Sequence, residues 1–243
     1  MSEQQKYFST QDSTSLFYRY RPAADGSSDK AIVLFHRGHE HSGRMMFVAD
    51  ELGFNDFSYF AWDARGHGYS PGERGDSQSI GTSVSDVDDF IRHIQSEYGI
   101  KPENICVIAQ SVGAVLVSTW LHDYAPKIRC AVLASPAFKV KLYVPFARTG
   151  LKMMQKWRGN FFVNSYVKAH YLTHNVERQK SYDNDPLIAR AISVRILLGL
   201  YEAAERVVAD AQAITTPVQL LISGSDWVVH HKPQHDFYNR LGS

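Results

Sequence analysis

The segment Val107-Ile108-Ala109-Gln110-Ser111-Val112-Gly113 carries the strongest chemical signal in the chain. An apolar stretch runs through a serine into residues with helical spacing, and small side chains stand two before and two after that serine. A sharp strand-to-helix turn of this kind lifts a hydroxyl clear of the sheet, and larger neighbours at those two positions would collide in the bend. Ala109 and Gly113 meet the demand. Ser111 is therefore the candidate nucleophile for acyl transfer. The N–H of Val112, first in the following helix, is a candidate donor to the oxyanion that forms when a carbonyl is attacked. The bland alternative is an ordinary strand-to-helix turn that happens to hold a serine.

A second signal follows the apolar run Ala31 to Phe35: His36-Arg37-Gly38-His39-Glu40-His41-Ser42-Gly43-Arg44. A loop at this place in a parallel sheet can supply the second oxyanion donor, and a glycine lets backbone approach substrate closely; Gly38 is the candidate. Imidazoles at 36, 39 and 41 also raise a metal-dependent hydrolase, but no carboxylate or cysteine completes a recognisable ligand set, so a metal is not expected. His36 reads better as a hydrogen-bonded scaffold beneath the loop.

The third signal is Asp226, just past the run Val218 to Ile222, in the chain order serine then acid expected of a hydrolase triad. A carboxylate there can hold a histidine in its productive tautomer. Surface or turn duty is the alternative for a Gly-Ser-Asp segment. The base itself is the gap. A helix, a strand and a loop after Asp226 need at least about 25 residues, whereas 17 follow it. His230, His231 and His235 fall on the loop and helix directly after Asp226, too soon to reach the serine. The expectation is a C-terminally incomplete fragment with Val218 to Ile222 as an exposed edge strand.

The elements that must position these residues follow an α/β rhythm. Short apolar runs (31–35, 58–62, 105–109, 130–134, 218–222) alternate with helical patterns such as Val84 to Tyr98 and Val112 to His122, which argues a mostly parallel sheet with helices on both faces. Tyr7 to Tyr20 reads as two antiparallel strands around Gln11 to Ser13. Between Pro136 and about Val208 the strand rhythm stops, predicting a helical lid insertion (136–208) in a core made of 1–135 and 209–243.

Composition narrows the field. The chain has 243 residues, 44% hydrophobic, with a net charge of +1, enough for one buried core and no overall reason for a nucleic-acid partner. No signal peptide and no apolar stretch of about 18 residues is present, making a cytoplasmic protein the default. Cys106 and Cys130 sit in strand-like runs and read as inert, buried small hydrophobes. Charge is uneven: residues 124–176 hold nine Lys or Arg and no Asp or Glu, leaving 17 bases against 25 acids elsewhere. Val144, Phe146, Leu151, Met153, Met154 and Trp157 interleave with those cations. The favoured reading is a solvated lid face with its apolar side on the core; the sharper one is peripheral contact with anionic lipid.

With Glu40-His41-Ser42-Gly43-Arg44, the turn Trp62-Asp63-Ala64-Arg65-Gly66-His67-Gly68-Tyr69-Ser70 with Pro71-Gly72, Leu172-Thr173-His174, Asp185-Pro186-Leu187 and Ser223-Gly224-Ser225-Asp226 added to the elbow, the chain resembles the monoglyceride lipase and lysophospholipase branch of the α/β-hydrolases, grouped by sequence with serine aminopeptidases. The resemblance runs from about Leu16 onward. It implies an α/β-hydrolase fold with a helical cap, no cofactor, and hydrolysis of fatty acyl esters of acylglycerol or lysophospholipid type. It also suggests a further C-terminal domain, since some bacterial hydrolases of this type are fused to a methyltransferase. Two positions depart from the pattern: Arg37 stands where a glycine is usual, and Ala109 replaces the elbow glycine. A non-catalytic binding or regulatory module on the same fold is the other reading, motivated by the missing base.

Overall fold

The computed structural model describes residues 2–26, 28–141, 146–165 and 167–243. The chain opens with the antiparallel pair β1 (Gln4–Ser9) and β2 (Ser15–Arg21), then enters the sheet centre through β3 (Ala31–Phe35). A short helix α1 (Phe47–Leu52) leads to β4 (Ser58–Trp62), and helix α2 (Ile80–Tyr98) to β5 (Ile105–Gln110). Helix α3 (Val112–Tyr124) and β6 (Cys130–Ala134) follow. Next come α4 (Ala147–Arg158), β7 (Phe162–Asn164), α5 (Ala169–Leu172), α6 (Val176–Asn184), β8 (Ala191–Ser193) and α7 (Val194–Ala209). The chain returns to the sheet in β9 (Val218–Leu221) and ends on α8 (His231–Tyr238).

The main sheet has the order β1-β2-β4-β3-β5-β6-β9, with every pair from β4 to β9 parallel. Parallel strands place all their C-terminal ends on one side, so the loops after β3, β5, β6 and β9 gather there. β3 and β4 are buried along their whole length, whereas β5 and β6 alternate between buried and half-exposed residues. The reason is uneven cover. One face lies under α2, α3 and α7, whose Phe90, Ile94, Val117, Trp120, Leu200 and Ala204 join the strands in a single core. The other face is covered by Met45, Met46 and Ala49 near α1, over Ile32, Leu34, Tyr59 and Ala61.

α2 starts where the Ser79 hydroxyl accepts the Thr82 N–H at 3.0 Å and stops at Gly99 in the left-handed region. It buries Val84, Val87, Phe90, Ile91 and Ile94, the stripe its sequence spacing predicts. Asp88 of α2 accepts the Trp120 indole N–H of α3 at 2.9 Å, fixing the two helices against each other over β5.

Two local features differ from the sequence reading. The segment between β6 and β9 is not helical throughout: β7 and β8 pair antiparallel, Phe162 opposite Ser193. Three-residue strands are too short for an alternating pattern to declare itself. The two cysteines are only partly buried, and as registered neighbours on β5 and β6 their sulfurs lie 3.3 Å apart as free thiols. No helix among the described residues is long and apolar enough to cross a membrane.

Candidate active site

Ser111 occupies the bend between β5 and α3 with φ 54° and ψ −113°, a conformation that a side-chain-bearing residue holds only when its surroundings enforce it. The enforcement is visible. The Ser111 N–H donates to the Ala134 carbonyl at 3.0 Å, and the Ala137 N–H donates to the Ser111 carbonyl at 3.2 Å, so the loop after β6 clamps the bend from both sides. Beneath it, a Cβ placed on Gly113 would lie 2.4 Å from the His36 carbonyl oxygen and 2.9 Å from that of Phe35. Only glycine lets α3 start so close to the end of β3. Ala109, fully buried in register with Phe35, shows that the position two before the serine accepts a methyl.

Gly38 lies against the start of the same helix: a Cβ there would meet Val112 Cγ2 at 2.9 Å. Val112 is the first residue of α3, so its N–H is one of those a helix leaves without an internal partner. The Gly38 N–H likewise meets no acceptor among the described residues. Two unengaged backbone donors beside a serine hydroxyl are the arrangement that stabilises a tetrahedral oxyanion.

The loop that carries Gly38 is braced on several sides. His36 is buried; its Nδ1 donates to the Arg37 carbonyl at 2.8 Å, and its Nε2 accepts the Ala64 N–H at 3.0 Å. Both ring nitrogens are occupied, and burial holds the ring below its ordinary pKa. Glu40, 1% exposed, sits 2.7 Å from the Arg37 guanidinium and 3.1 Å from that of Arg44. The buried Asp63 accepts from the Ser42 N–H at 2.6 Å and the Tyr69 N–H at 2.7 Å, tying the loop to the turn after β4. From the other side Asp185 accepts from His41 at 2.9 Å, and the Ala189 N–H donates to the His39 carbonyl at 3.0 Å. The imidazoles of His36 and His41 therefore make separate contacts, whereas residue 39 is held through its backbone carbonyl. No group of three or more His, Cys, Asp or Glu among the described residues is placed to hold a metal.

Ser111, Gly38 and Val112 open onto one cavity of about 370 Å³. Its walls are mainly apolar, with Leu116, Leu151, Ile192, Ile196, Leu197 and Leu200 among them. Arg37, His39 and His67 also face it. Burial pushes the His39 ring down to about 4 and the His67 ring down to about 3, so both are neutral at pH 7. The spacing of the two loops gave no sign of which histidines line the cavity, since a loop imposes no periodicity on its side chains.

Asp226 is placed differently. It follows β9 at the same end of the sheet but does not wall the cavity, although Val228 does. One carboxylate oxygen accepts from the Val228 and Val229 N–H groups at 2.7 and 2.9 Å, closing a turn, and its carbonyl accepts from the Lys141 ammonium at 2.5 Å. All 11 histidines are among the described residues, and none hydrogen-bonds Ser111. His230, His231 and His235 lie at and within the start of α8, and none of them lines the cavity.

The strained serine between strand and helix, the paired backbone donors and the parallel sheet together define an α/β-hydrolase. The chain belongs to the family described as serine aminopeptidase, S33, whose model matches residues 26–243. It is 60% identical over 237 residues to the uncharacterized protein YnbC of Escherichia coli K12, covering 98% of this chain and 40% of that protein. This chain thus spans well under half the length of that relative. Mouse monoglyceride lipase is 29% identical over 221 residues, 88% of this chain and 71% of the lipase. Among solved structures, the monoacylglycerol lipase of Paleococcus ferrophilus superposes with a TM-score of 0.81 at 26% identity, covering 93% of this chain and 84% of that one.

Proposed function

We propose that the chain is the hydrolase part of a carboxylic ester hydrolase acting on acylglycerol or lysophospholipid esters through an acyl-enzyme. Ser111 attacks the ester carbonyl, the Gly38 and Val112 N–H groups receive the oxyanion, the ester C–O bond breaks as the protonated alcohol leaves, and water then cleaves the acyl-enzyme to release the fatty acid. The observation that carries this reading is the strained Ser111 beside two unengaged backbone donors in one apolar cavity. The kinship with lipases that act on monoacylglycerol supports the substrate class. The segment 136–208 serves as the lid over this cavity, to which it contributes Leu151, Val163, Leu172 and Ile196.

The proton of Ser111 is taken in this proposal by a histidine that Asp226 orients. No histidine among the described residues hydrogen-bonds Ser111, and this chain covers 40% of its relative YnbC, so a longer parent has room to supply that base. The same absence favours a second reading, a binding module that keeps the cavity without turnover.

Hydrolysis of monoacylglycerol and lysophospholipid by the 243-residue chain and by its full-length parent separates the two. The parent is expected to turn over and its Ser111→Ala variant to lose activity; the short chain should be slower by about 10⁶, the loss seen when a serine protease lacks its base. Equal rates for short chain and parent would remove the external histidine. A parent that binds lipid without cleaving it would establish the binding module.

A cytoplasmic enzyme of this kind meets its substrate at a lipid surface, and α4 is the proposed contact. Phe146, in the left-handed region just before the helix, is 87% exposed, and Met153 and Trp157, which share one side of it, are 70 and 88% exposed, while Ala147 and Leu151 line the cavity. Most of the interleaved apolar residues thus face away from the core, contrary to the reading that places them upon it; Val144 lies outside the described residues. Lys156 and Arg158 flank the exposed stripe without an acidic partner among the described residues, as anionic lipid would require.

A further inference from the structure

Beside the cavity that holds Ser111 lies a second one of about 340 Å³. Asn164, Ser165 and Val167 line both, so they form a shared wall. The two differ in character. Where the first is aliphatic, the second is bounded by Lys168, His170, Asp183 and Arg190.

The charges in it are not balanced. Arg190 is tied down: its guanidinium donates to the Tyr182 and Asp183 carbonyls at 3.4 and 2.9 Å and lies 3.7 Å from the Asp183 carboxylate, whose charge it answers. Lys168 has no such partner; among the described residues its ammonium makes neither hydrogen bond nor ion pair. The His170 ring, tilted against Tyr171 with ring centres 4.2 Å apart, and the Asn164 amide are also without hydrogen bonds among the described residues. One uncompensated cation and two sets of idle polar groups therefore face a space that adjoins the ester site. Ala189, also in this pocket, makes the backbone bond to His39 that steadies the oxyanion loop.

We propose that this pocket receives a phosphate group of the substrate. The ester carbonyl then sits at Ser111, the acyl chain fills the aliphatic cavity, and the headgroup passes Ser165 to reach Lys168. Charged donors to phosphate oxygens make hydrogen bonds roughly twice as strong as neutral ones, which gives the arrangement its selectivity. The assignment rests on the ester-hydrolase reading and narrows its substrate to lysophospholipids in preference to neutral monoacylglycerols.

The test is equilibrium binding to the 243-residue chain, which needs no catalytic base. Two probes differing only in the phosphate are compared below their micellar concentrations: 1-decanoylglycerol and 1-decanoylglycerol 3-phosphate. The phosphate-bearing probe should bind about tenfold more tightly, the worth of one added hydrogen bond to a charged group. Lys168→Glu, a change at an exposed residue whose side chain has no partner among the described residues, should erase that preference and leave the affinity for 1-decanoylglycerol unchanged. Equal affinities for the two probes, or a preference that survives Lys168→Glu, would overturn the phosphate subsite while leaving the ester site standing. Failure of both probes to bind would instead overturn the ester reading and the subsite with it. Glycerol 3-phosphate and inorganic phosphate serve as the acyl-free arms. If either binds as tightly as the acylated phosphate, the pocket serves free phosphate rather than a lipid headgroup, and the proposal falls.

Discussion

A single methyl group is enough to probe the paired backbone donors. At Gly38 it would stand 2.9 Å from Val112 Cγ2, so the Val112 side chain, the loop or the helix start must give, and the expected result is that the two N–H groups lose their common aim. Gly38→Ala should lower kcat of the full-length enzyme by about 10² to 10³, the cost of one misplaced oxyanion donor, with little change in thermal stability. An unchanged kcat would take Gly38 out of the oxyanion role. Residues of this kind leave a trace in sequence because the geometry forbids larger side chains: Ala109, Gly113 and Gly38 are small for stated steric reasons. Nothing comparable marks His39 and His67 as cavity walls. The turn Arg65-Gly66-His67-Gly68 is conspicuous in sequence, but its imidazole is set by a hydrogen bond from Nδ1 to the Arg65 carbonyl at 3.0 Å, within a turn packed so that Asp63 would lie 2.0 Å from a Cβ on Gly68.

Helix α4 sets the question at the scale of elements. Its ion pairs run to α7, where Arg148 meets Glu205 and Lys152 meets Glu202 at 2.8 Å, and these pairs turn the Met153 and Trp157 side outward. Sedimentation with vesicles should show binding that rises with anionic lipid content, falls with salt, and weakens several-fold in Trp157→Ala, since an interfacial aromatic and neighbouring cations act together. Binding indifferent to both anionic lipid and Trp157 would leave α4 a solvated face. The alternation of charged and apolar residues was legible, but its direction was not, because both sides of α4 carry apolar residues and the partner that chooses between them, α7, is distant in sequence. Strands β3 to β6 and β9 were legible almost to the residue, since a strand buried on one or both faces must be an apolar run or an alternating one. β7 and β8, with three residues each, carried no pattern to read.

At the scale of the whole molecule, burial of neutral histidines makes stability depend on pH. His36 is held below its ordinary 6.5 by burial, His39 is pushed down to about 4 and His67 down to about 3. In the unfolded chain all three take up protons near pH 6.5, which the folded chain refuses. Stability from this source is complete above about pH 6.5 and falls below it, by up to about 1.4 kcal/mol per pH unit for each ring. Asp12, held well below the usual carboxylate range by Arg65, extends the loss to lower pH. The melting temperature should be level from pH 7 to 8 and drop steadily from 6.5 to 4.5; a flat profile across that lower interval would contradict the neutral burial. The arrangement of the sheet has a plainer consequence. Everything proposed for the chemistry depends on strand ends delivering Ser111, Gly38 and Val112 to one cavity. The most direct measurement is covalent labelling of the full-length protein with an alkyl fluorophosphonate, followed by mass mapping of the adduct. The expected result is one adduct on Ser111, absent in Ser111→Ala and slowed in Gly38→Ala. An adduct on another residue, or none on Ser111, would contradict the account.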